Sequence, residues 1–258
     1  MIKLTRVNST ALNAPKVFVI AGGPGLSSLT LRNLDLLKRS FELIYLDMQG
    51  TNGSEYAGKK SFPELAEAVA EVVRSESGQK FILGHSYGGL LAAAAFKSSN
   101  ASGLVCIATP FSKASLDAAS VSYNENKTAT LEGSRIYWEK MQDDNSFKIW
   151  LSDYGDIWFK NPKGKNLILQ DLVSSQFFKD NRSDISNHSY VLGDVAAIDT
   201  TKIFIAGTED KLLPTKVLKN DSQSGKFEFF EIENASHFVT LDQPEKVAKL
   251  IEEKLLRS

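Results

Sequence analysis

The stretch LGHSYGGL, from Leu83 to Leu90, places Ser86 between glycines directly after a short apolar run. It contains the pattern G-x-S-x-G, with Gly84 and Gly88 at its ends. The preceding KFIL has the composition of a buried strand, and the following LLAAAAF that of a helix. A serine on such a strand-turn-helix corner exposes its hydroxyl at a helix N-terminus, where a developing negative charge is stabilised. The alternative is a tight turn of small residues, but the flanking strand and helix favour Ser86 as a nucleophile.

The same alternation of strand and helix patterns extends over most of the chain. Short, continuously apolar runs predict strands buried in a parallel sheet. They occur at residues 17–21, 43–47, 81–84, 104–108, 203–207 and 227–232. Ser61 and Glu64 form a capping box before one amphipathic helix, and Pro244 opens another. We therefore predict an α/β protein whose doubly wound, mostly parallel sheet carries helices on both sides.

One long segment departs from this alternation. Residues 111–198 are polar and aromatic, without a convincing buried strand, and they contain Trp138, Trp150 and Trp158, the three tryptophans of the chain. This composition predicts a small helical subdomain with an aromatic core. Because open α/β sheets bind ligands at the carboxyl ends of their strands, we expect it to form a helical cap over that edge. The predicted core then comprises residues 1–110 and 199–258.

A serine hydroxyl needs a general base, and the chain offers three histidines. His85 adjoins Ser86, and because neighbouring side chains on such a corner diverge, we interpret His85 as a packing residue or a residue of the oxyanion loop. His188 lies in the predicted cap, where a structural role is expected. His237 follows the last predicted strand, at the same sheet edge as Ser86. We therefore predict that His237 is the general base.

The base in turn needs a carboxylate that fixes its tautomer and stabilises the imidazolium. The stretch IFIAGTEDKLLP, residues 203–214, ends a strand and then offers Glu209 and Asp210. Asp210 is preferred because of its offset from the strand-ending glycine, and Glu209 is the alternative. The resulting order of Ser86, Asp210 and His237 is the chain order of the α/β-hydrolase triad.

Acyl transfer also requires donors for an oxyanion. The stretch AGGPGLSS, residues 21–28, follows the first buried strand, and its glycines allow the backbone to approach a substrate closely. We predict an oxyanion hole formed by the backbone amides of Gly23 and Tyr87, the residue after the nucleophile. The alternative for residues 21–28 is a simple Gly-Pro turn.

Together these motifs resemble the α/β-hydrolase superfamily over nearly the whole chain, and within it the proline iminopeptidase group. GGPG at residues 22–25, DMQGTNGS at residues 47–54 and GHSYGG at residues 84–89 are similar to three motifs of that group, in the same order. The chain departs from the group at Ala21, where a histidine is usual, and at Gln49, where an arginine is usual. The resemblance implies the α/β-hydrolase fold and the Ser-Asp-His triad.

The resemblance also suggests substrate-binding residues in the cap. Aminopeptidases of that group hold the free amine of the substrate with acidic cap residues, and YWEKM at residues 137–141 resembles their tryptophan-glutamate pair. This similarity implies that Trp138 walls the pocket and that Glu139 binds the amine. The alternative for Glu139 is a solvated position on a helix surface.

The expected function is that of a serine hydrolase acting through an acyl-enzyme on a small ester or amide. An aminopeptidase of the proline iminopeptidase type, with a short peptide as substrate, is one candidate. Two alternatives use the same fold: a cofactorless haloperoxidase- or lyase-like enzyme, and a ligand-binding protein without catalysis. No metal-binding cluster, P-loop or dinucleotide motif occurs, so we expect neither a metal nor another cofactor.

Composition limits the partners and the compartment. The formal net charge of −1 gives no reason to expect nucleic acid or a membrane as partner. The single cysteine, Cys106, excludes an internal disulfide and fits a reducing compartment. The N-terminal residues lack the long apolar region of a signal peptide. We therefore expect a cytoplasmic protein, and the sequence does not predict its oligomeric state.

Overall fold

A single mixed sheet organises the protein. The computed structural model describes residues 2–182 and 190–257. Its seven strands follow the order β1-β3-β2-β4-β5-β6-β7, with β1 antiparallel to β3 and all other neighbours parallel. The strands are Lys3–Val7 (β1), Lys16–Ile20 (β2), Glu42–Asp47 (β3), Lys80–His85 (β4), Gly103–Ile107 (β5), Thr201–Gly207 (β6) and Glu228–Ile232 (β7). The predicted doubly wound, mostly parallel α/β sheet is confirmed.

Helices cover both faces of this sheet. They are the 3₁₀ helix Ser28–Arg39 and helices Phe62–Ser75 (α1), Tyr87–Ser99 (α2), Lys113–Asn126 (α3), Ala129–Met141 (α4), Asp144–Trp158 (α5), Lys163–Gln170 (α6), Ser175–Asn181 (α7), Tyr190–Ala196 (α8), Thr215–Ser224 (α9), Val239–Asp242 (α10) and Pro244–Leu255 (α11). Within residues 2–182 and 190–257, none of them combines the length and apolar character needed to cross a membrane.

Alternate residues of each strand feed two separate cores. On β2, Phe18 and Ile20 pack with α1, α2, α8 and α9 on one face of the sheet. Val17 and Val19 pack with the 3₁₀ helix and α11 on the other face. This division follows from the two-residue repeat of a strand. Because both faces are covered, the central strands are apolar throughout, and this explains why continuous apolar runs locate them.

The helices between β5 and β6 form a third apolar cluster above the carboxyl ends of the strands. It is built mainly from the cap helices and also includes Leu26 and Phe238 of the core. Helix α8 behaves differently, because Val191, Leu192 and Val195 belong to the cluster of α1 and α2. Although α8 lies within residues 111–198, it packs with the core. Within residues 111–198, the helices that line the cavity bordered by Ser86 are α3, α4, α5 and α7.

The predicted site residues meet at this sheet edge. Gly23 follows β2, Ser86 follows β4, Asp210 follows β6 and His237 follows β7. Because these four strands are parallel, their carboxyl ends lie on the same side of the sheet.

Candidate active site

Ser86 lies on a strained corner between β4 and α2. Its backbone has a φ of 52° and a ψ of −122°, a conformation that non-glycine residues rarely adopt. A β-carbon on Gly88 would lie 2.3 Å from the carbonyl oxygen of Ala21, and one on Gly84 would lie 2.2 Å from the carbonyl oxygen of Gly88. Only glycine fits at these two positions. Among the described residues, the hydroxyl of Ser86 makes no capping bond to α2, and Ser86 borders a cavity.

His237 and Asp210 form a buried pair. Nδ1 of His237 lies 2.9 Å from Oδ2 of Asp210, and the two side chains are 3% and 0% exposed. Oδ1 of Asp210 accepts hydrogen bonds from the backbone amides of Leu212 and Leu213, each at 2.9 Å. The carboxylate is therefore fixed in orientation. It favours the tautomer in which Nδ1 of His237 carries the proton and Nε2 can accept one.

Glu209, the alternative acid, points elsewhere. Its Oε1 lies 2.6 Å from Nζ of Lys160, and its side chain is 47% exposed. The structure places Asp210, not Glu209, against His237.

His85 supports the loop that carries His237. Its Nε2 donates a hydrogen bond to the carbonyl oxygen of His237 at 3.0 Å, and the two rings lie 4.9 Å apart between centroids. Burial, together with the neighbouring His237, lowers the pKa of His85 to about 3, although the hydrogen bond to the carbonyl oxygen of His237 opposes the change. His85 is therefore neutral at physiological pH and does not compete with His237 as a base. His188 lies outside the described residues.

The predicted oxyanion donors border the same cavity as Ser86. Gly23 and Tyr87 both line it. Gly23 has a φ of 112°, which favours glycine. A β-carbon on Gly22 would lie 3.1 Å from Cβ of Ser86, so the loop after β2 passes directly beside Ser86. The structure thus brings Ser86, the predicted nucleophile, and both predicted donors to one cavity.

Aromatic side chains of the cap form much of the cavity wall. The cavity has a volume of about 410 Å³, within the range of small-molecule sites. It is lined by Gly23, Ser86, Tyr87, Pro110, Leu116, Ala119, Ser120, Tyr123, Arg135, Trp150, Leu151, Tyr154, Trp158, Phe178, Leu212 and Leu213. Trp150, Tyr154 and Trp158 recur every four residues on α5, so they share one face of that helix. This spacing was the sequence signal for the cavity wall.

Trp138 does not border the cavity as the described residues form it, which corrects the sequence prediction. It is 2% exposed and lies behind Trp150, with parallel rings 4.7 Å apart between centroids. Its Nε1 donates a hydrogen bond to Oγ of Ser175 at 2.8 Å. Trp138 therefore supports a wall residue and fills the cap core.

The structure also corrects the expected position of Glu139. Its side chain is 47% exposed and pairs with Arg135, with Oε1 2.6 Å from Nη1. The reason is helical geometry, because successive residues rotate by about 100° and the inward position is taken by Trp138. Arg135, which the sequence did not indicate, borders the cavity instead and is held by Glu132 and Glu139.

Residues 2–182 and 190–257 contain no group of three or more His, Cys, Asp or Glu side chains arranged to hold a metal ion. The donor set that the structure does assemble is a serine hydroxyl, an imidazole and a carboxylate, with backbone amides beside them.

Comparison with known proteins shows the family to which the chain belongs. The sequence profile of the alpha/beta hydrolase family matches residues 17–250. The chain belongs to this family. Membership supports hydrolase activity, and the closer resemblance to proline iminopeptidases stays a prediction. A search of curated proteins returned no significant match.

Solved structures of esterases share the fold. An esterase from Thermogutta terrifontis is 18% identical with a TM-score of 0.72, and the match covers 99% of this chain and 93% of that one. An esterase from Exiguobacterium antarcticum is 17% identical with a TM-score of 0.74, covering 100% and 96%. A carboxylesterase structure from the thaumarchaeon Nitrososphaera gargenis is 14% identical with a TM-score of 0.76, covering 99% and 94%. At such identities the similarity extends to the fold alone.

Proposed function

We propose that the protein is a serine hydrolase that cleaves small, uncharged carboxylic esters through an acyl-enzyme on Ser86. The observation that carries the proposal is the buried hydrogen bond between His237 and Asp210, at the sheet edge where Ser86 borders the cavity. A base whose tautomer is fixed, close to a serine on a strained corner, is the arrangement that acyl transfer requires.

The reaction proceeds in two halves. Oγ of Ser86 attacks the carbonyl carbon while Nε2 of His237 takes the hydroxyl proton, and Asp210 stabilises the imidazolium. The oxyanion accepts hydrogen bonds from the amides of Gly23 and Tyr87. His237 then gives the proton to the leaving alcohol, and the acyl group remains on Ser86. Water, deprotonated by His237, attacks the acyl-enzyme; the carbonyl–Oγ bond breaks, and the carboxylic acid leaves as Ser86 regains its proton.

The cavity favours uncharged acyl groups over substrates with a free amine. Among the described residues that line it, Arg135 is the charged one, and it is a cation. A substrate ammonium would therefore meet no carboxylate on the wall, because Glu139 is not among the lining residues and its carboxylate is paired with Arg135. Neutral ester substrates need no carboxylate partner, and the aromatic wall buries their apolar groups.

The assignment of Ser86 can be tested by substitution. Ser86→Ala should abolish fluorophosphonate labelling and lower kcat for p-nitrophenyl esters by roughly 10⁴-fold or more, because the nucleophile is removed. Ser120→Ala is the matched control, since Ser120 also borders the cavity but lies on α3. It should retain both labelling and turnover. Labelling that persists in Ser86→Ala, or that is lost in Ser120→Ala, would show that the nucleophile has been misassigned.

The substrate class is tested with a panel. We expect turnover of p-nitrophenyl esters of short neutral acids, and little or none of aminoacyl-nitroanilides with a free amine. The reverse preference would overturn the assignment to uncharged esters and restore the aminopeptidase prediction.

A further inference from the structure

Residues 22–28 follow β2, and we name this segment the oxyanion loop. Two buried carboxylates hold it. Asp47, at the end of β3, accepts hydrogen bonds from the backbone amide and the hydroxyl of Ser28, at 2.7 and 3.0 Å. Asp171, directly after α6 of the cap, accepts the backbone amide of Ser27 at 3.0 Å and also the hydroxyl of Ser27. Adjacent residues of the loop are thus fixed by one carboxylate from the core and one from the cap.

The backbone of the cap reaches the oxyanion loop at the same place. The amide of Ser174 donates to the carbonyl oxygen of Gly25 at 2.9 Å. A β-carbon on Gly25 would lie 2.6 Å from the carbonyl oxygen of Ser174, so the two backbones are in direct contact. Within the loop, the amide of Leu26 lies 3.4 Å from the carbonyl oxygen of Gly22. A displacement of Ser27 is therefore passed to the part of the loop beside Ser86.

We propose that Asp171 is a positioning residue of the reaction: through Ser27 it holds the oxyanion loop so that the amide of Gly23 faces the carbonyl attacked by Ser86. The proposal rests on the hydrolase function argued above. Oxyanion donors act only when they are fixed about 2.7–3.1 Å from the developing charge. A misplacement of about 1 Å can cost on the order of 100-fold in rate.

Burial disfavours the ionised form of Asp171, and this indicates that the residue does more than fill space. Its side chain is fully buried, and burial, together with the nearby charge of Asp47, raises its pKa to about 6 against the opposing hydrogen bonds from Ser27 and Leu172. An ionised carboxylate is therefore kept in an unfavourable place at neutral pH, as expected for a residue that serves activity at the expense of stability.

The test compares Asp171→Asn with a matched buried carboxylate. Asp221 on α9 also joins the core to the cap, by accepting the amides of Phe111 and Ser112 and the hydroxyl of Ser115. These partners lie at the start of the cap, and none of them belongs to the oxyanion loop. We expect Asp171→Asn to lower kcat for a p-nitrophenyl ester about 10- to 100-fold, with KM changed less than about threefold. Asp221→Asn should change kcat less than about threefold.

Ser27→Ala provides a second route, because it removes the hydroxyl that Asp171 binds and leaves the carboxylate in place. The same oxygen also accepts the amide of Leu29 at 3.2 Å, at the start of the 3₁₀ helix. The substitution should lower kcat several-fold, and Asp171→Asn should cost less in the Ser27→Ala background than in the wild type, because both act through one contact. Folding of each variant is checked by cooperative urea unfolding. If Asp171→Asn does not fold, the kcat of Ser27→Ala decides: an unchanged value overturns the proposal.

The outcomes separate this inference from the proposed function. A wild type that hydrolyses esters, with an inactive Ser86→Ala variant, establishes the function independently. If the function is established in this way, three results would overturn the positioning role alone. The first is an equal loss of kcat in Asp171→Asn and Asp221→Asn, and the second is a change in KM without a change in kcat. The third is additive effects of Asp171→Asn and Ser27→Ala on kcat. A wild type without hydrolase activity would overturn both.

Discussion

At the scale of single residues, two adjacent carboxylates, Asp210 and Glu209, have very different surroundings. Asp210 binds His237 and two backbone amides and is withdrawn from solvent, whereas Glu209 meets Lys160 at the surface. The chemical difference is one methylene group, but the environments are opposite. Only a buried carboxylate with fixed lone pairs can hold an imidazole in one orientation.

This difference predicts unequal effects of two conservative substitutions. Asp210→Asn should lower kcat/KM for p-nitrophenyl acetate by roughly 10³- to 10⁴-fold, because the amide favours the wrong tautomer of His237. Glu209→Gln should change it less than about threefold, since an exposed ion pair contributes roughly 1 kcal/mol or less. Steady-state kinetics on both variants measures the ranking. A larger loss in Glu209→Gln would show that the acid has been misassigned.

At the scale of elements, helix α5 decides what the cavity accepts. Trp150, Tyr154 and Trp158 present one face of it to the cavity, and Trp138 of α4 supports that face from behind. In the proposed reaction, this apolar wall sets the size of the acyl group that fits beside Ser86.

Enlarging the cavity should change chain-length preference. Trp158→Leu should raise kcat/KM for longer or bulkier acyl esters relative to the acetate by about 10- to 100-fold, because each accommodated methylene contributes roughly 1 kcal/mol. Trp138→Phe, behind the wall, should lower stability without altering this ratio. The ratio is measured over p-nitrophenyl esters of increasing chain length. An equal change of preference in both variants would contradict the assignment of α5 as the wall.

The segment after α6 should give the protein a measurable pH dependence. Burial raises the pKa of Asp171 to about 6 from its ordinary value of 3.8, with Asp47 as the charged neighbour. Because the pKa is higher in the folded protein, protonated Asp171 stabilises the fold relative to the ionised form. This contribution to stability is fully present below about pH 4 and is lost as the pH rises through about 6. A shift of this size corresponds to about 3 kcal/mol.

The measurement is the free energy of unfolding of the wild type minus that of Asp171→Asn, obtained by urea titration between pH 4 and pH 8. We expect this difference to fall by about 2–3 kcal/mol between pH 4 and pH 7, because asparagine does not ionise. A difference that is independent of pH would show that the carboxyl group is not destabilised by burial.

At the scale of the whole molecule, strands were easier to predict than the contacts of helices. Apolar runs at residues 17–21 and 104–108 correspond to β2 and β5 almost residue for residue, because a strand covered on both faces must be apolar throughout. Helix α8 shows the limit, since its apolar face is visible in the sequence but its partner α2 is not.

The candidate site could likewise be predicted in part from the sequence. Chain order and strand ends placed Ser86, Asp210 and His237 at one edge, because parallel strands bring their carboxyl ends together. A local motif at residues 137–141 suggested Trp138 and Glu139 as substrate contacts, yet α5 supplies the wall. Which face of which helix meets a cavity depends on tertiary packing, and a short motif carries no information about it.

The hydrogen bond from His85 to the carbonyl of His237 joins positions separated by 152 residues. The proposed nucleophile, Ser86, emerges in the first half of the chain during synthesis, whereas the proposed base, His237, follows only after β7. Under the proposed function, a nascent or refolding chain is inert until the loop after β7 docks beside Ser86. The appearance of turnover during refolding would therefore report the docking of this last part of the sheet.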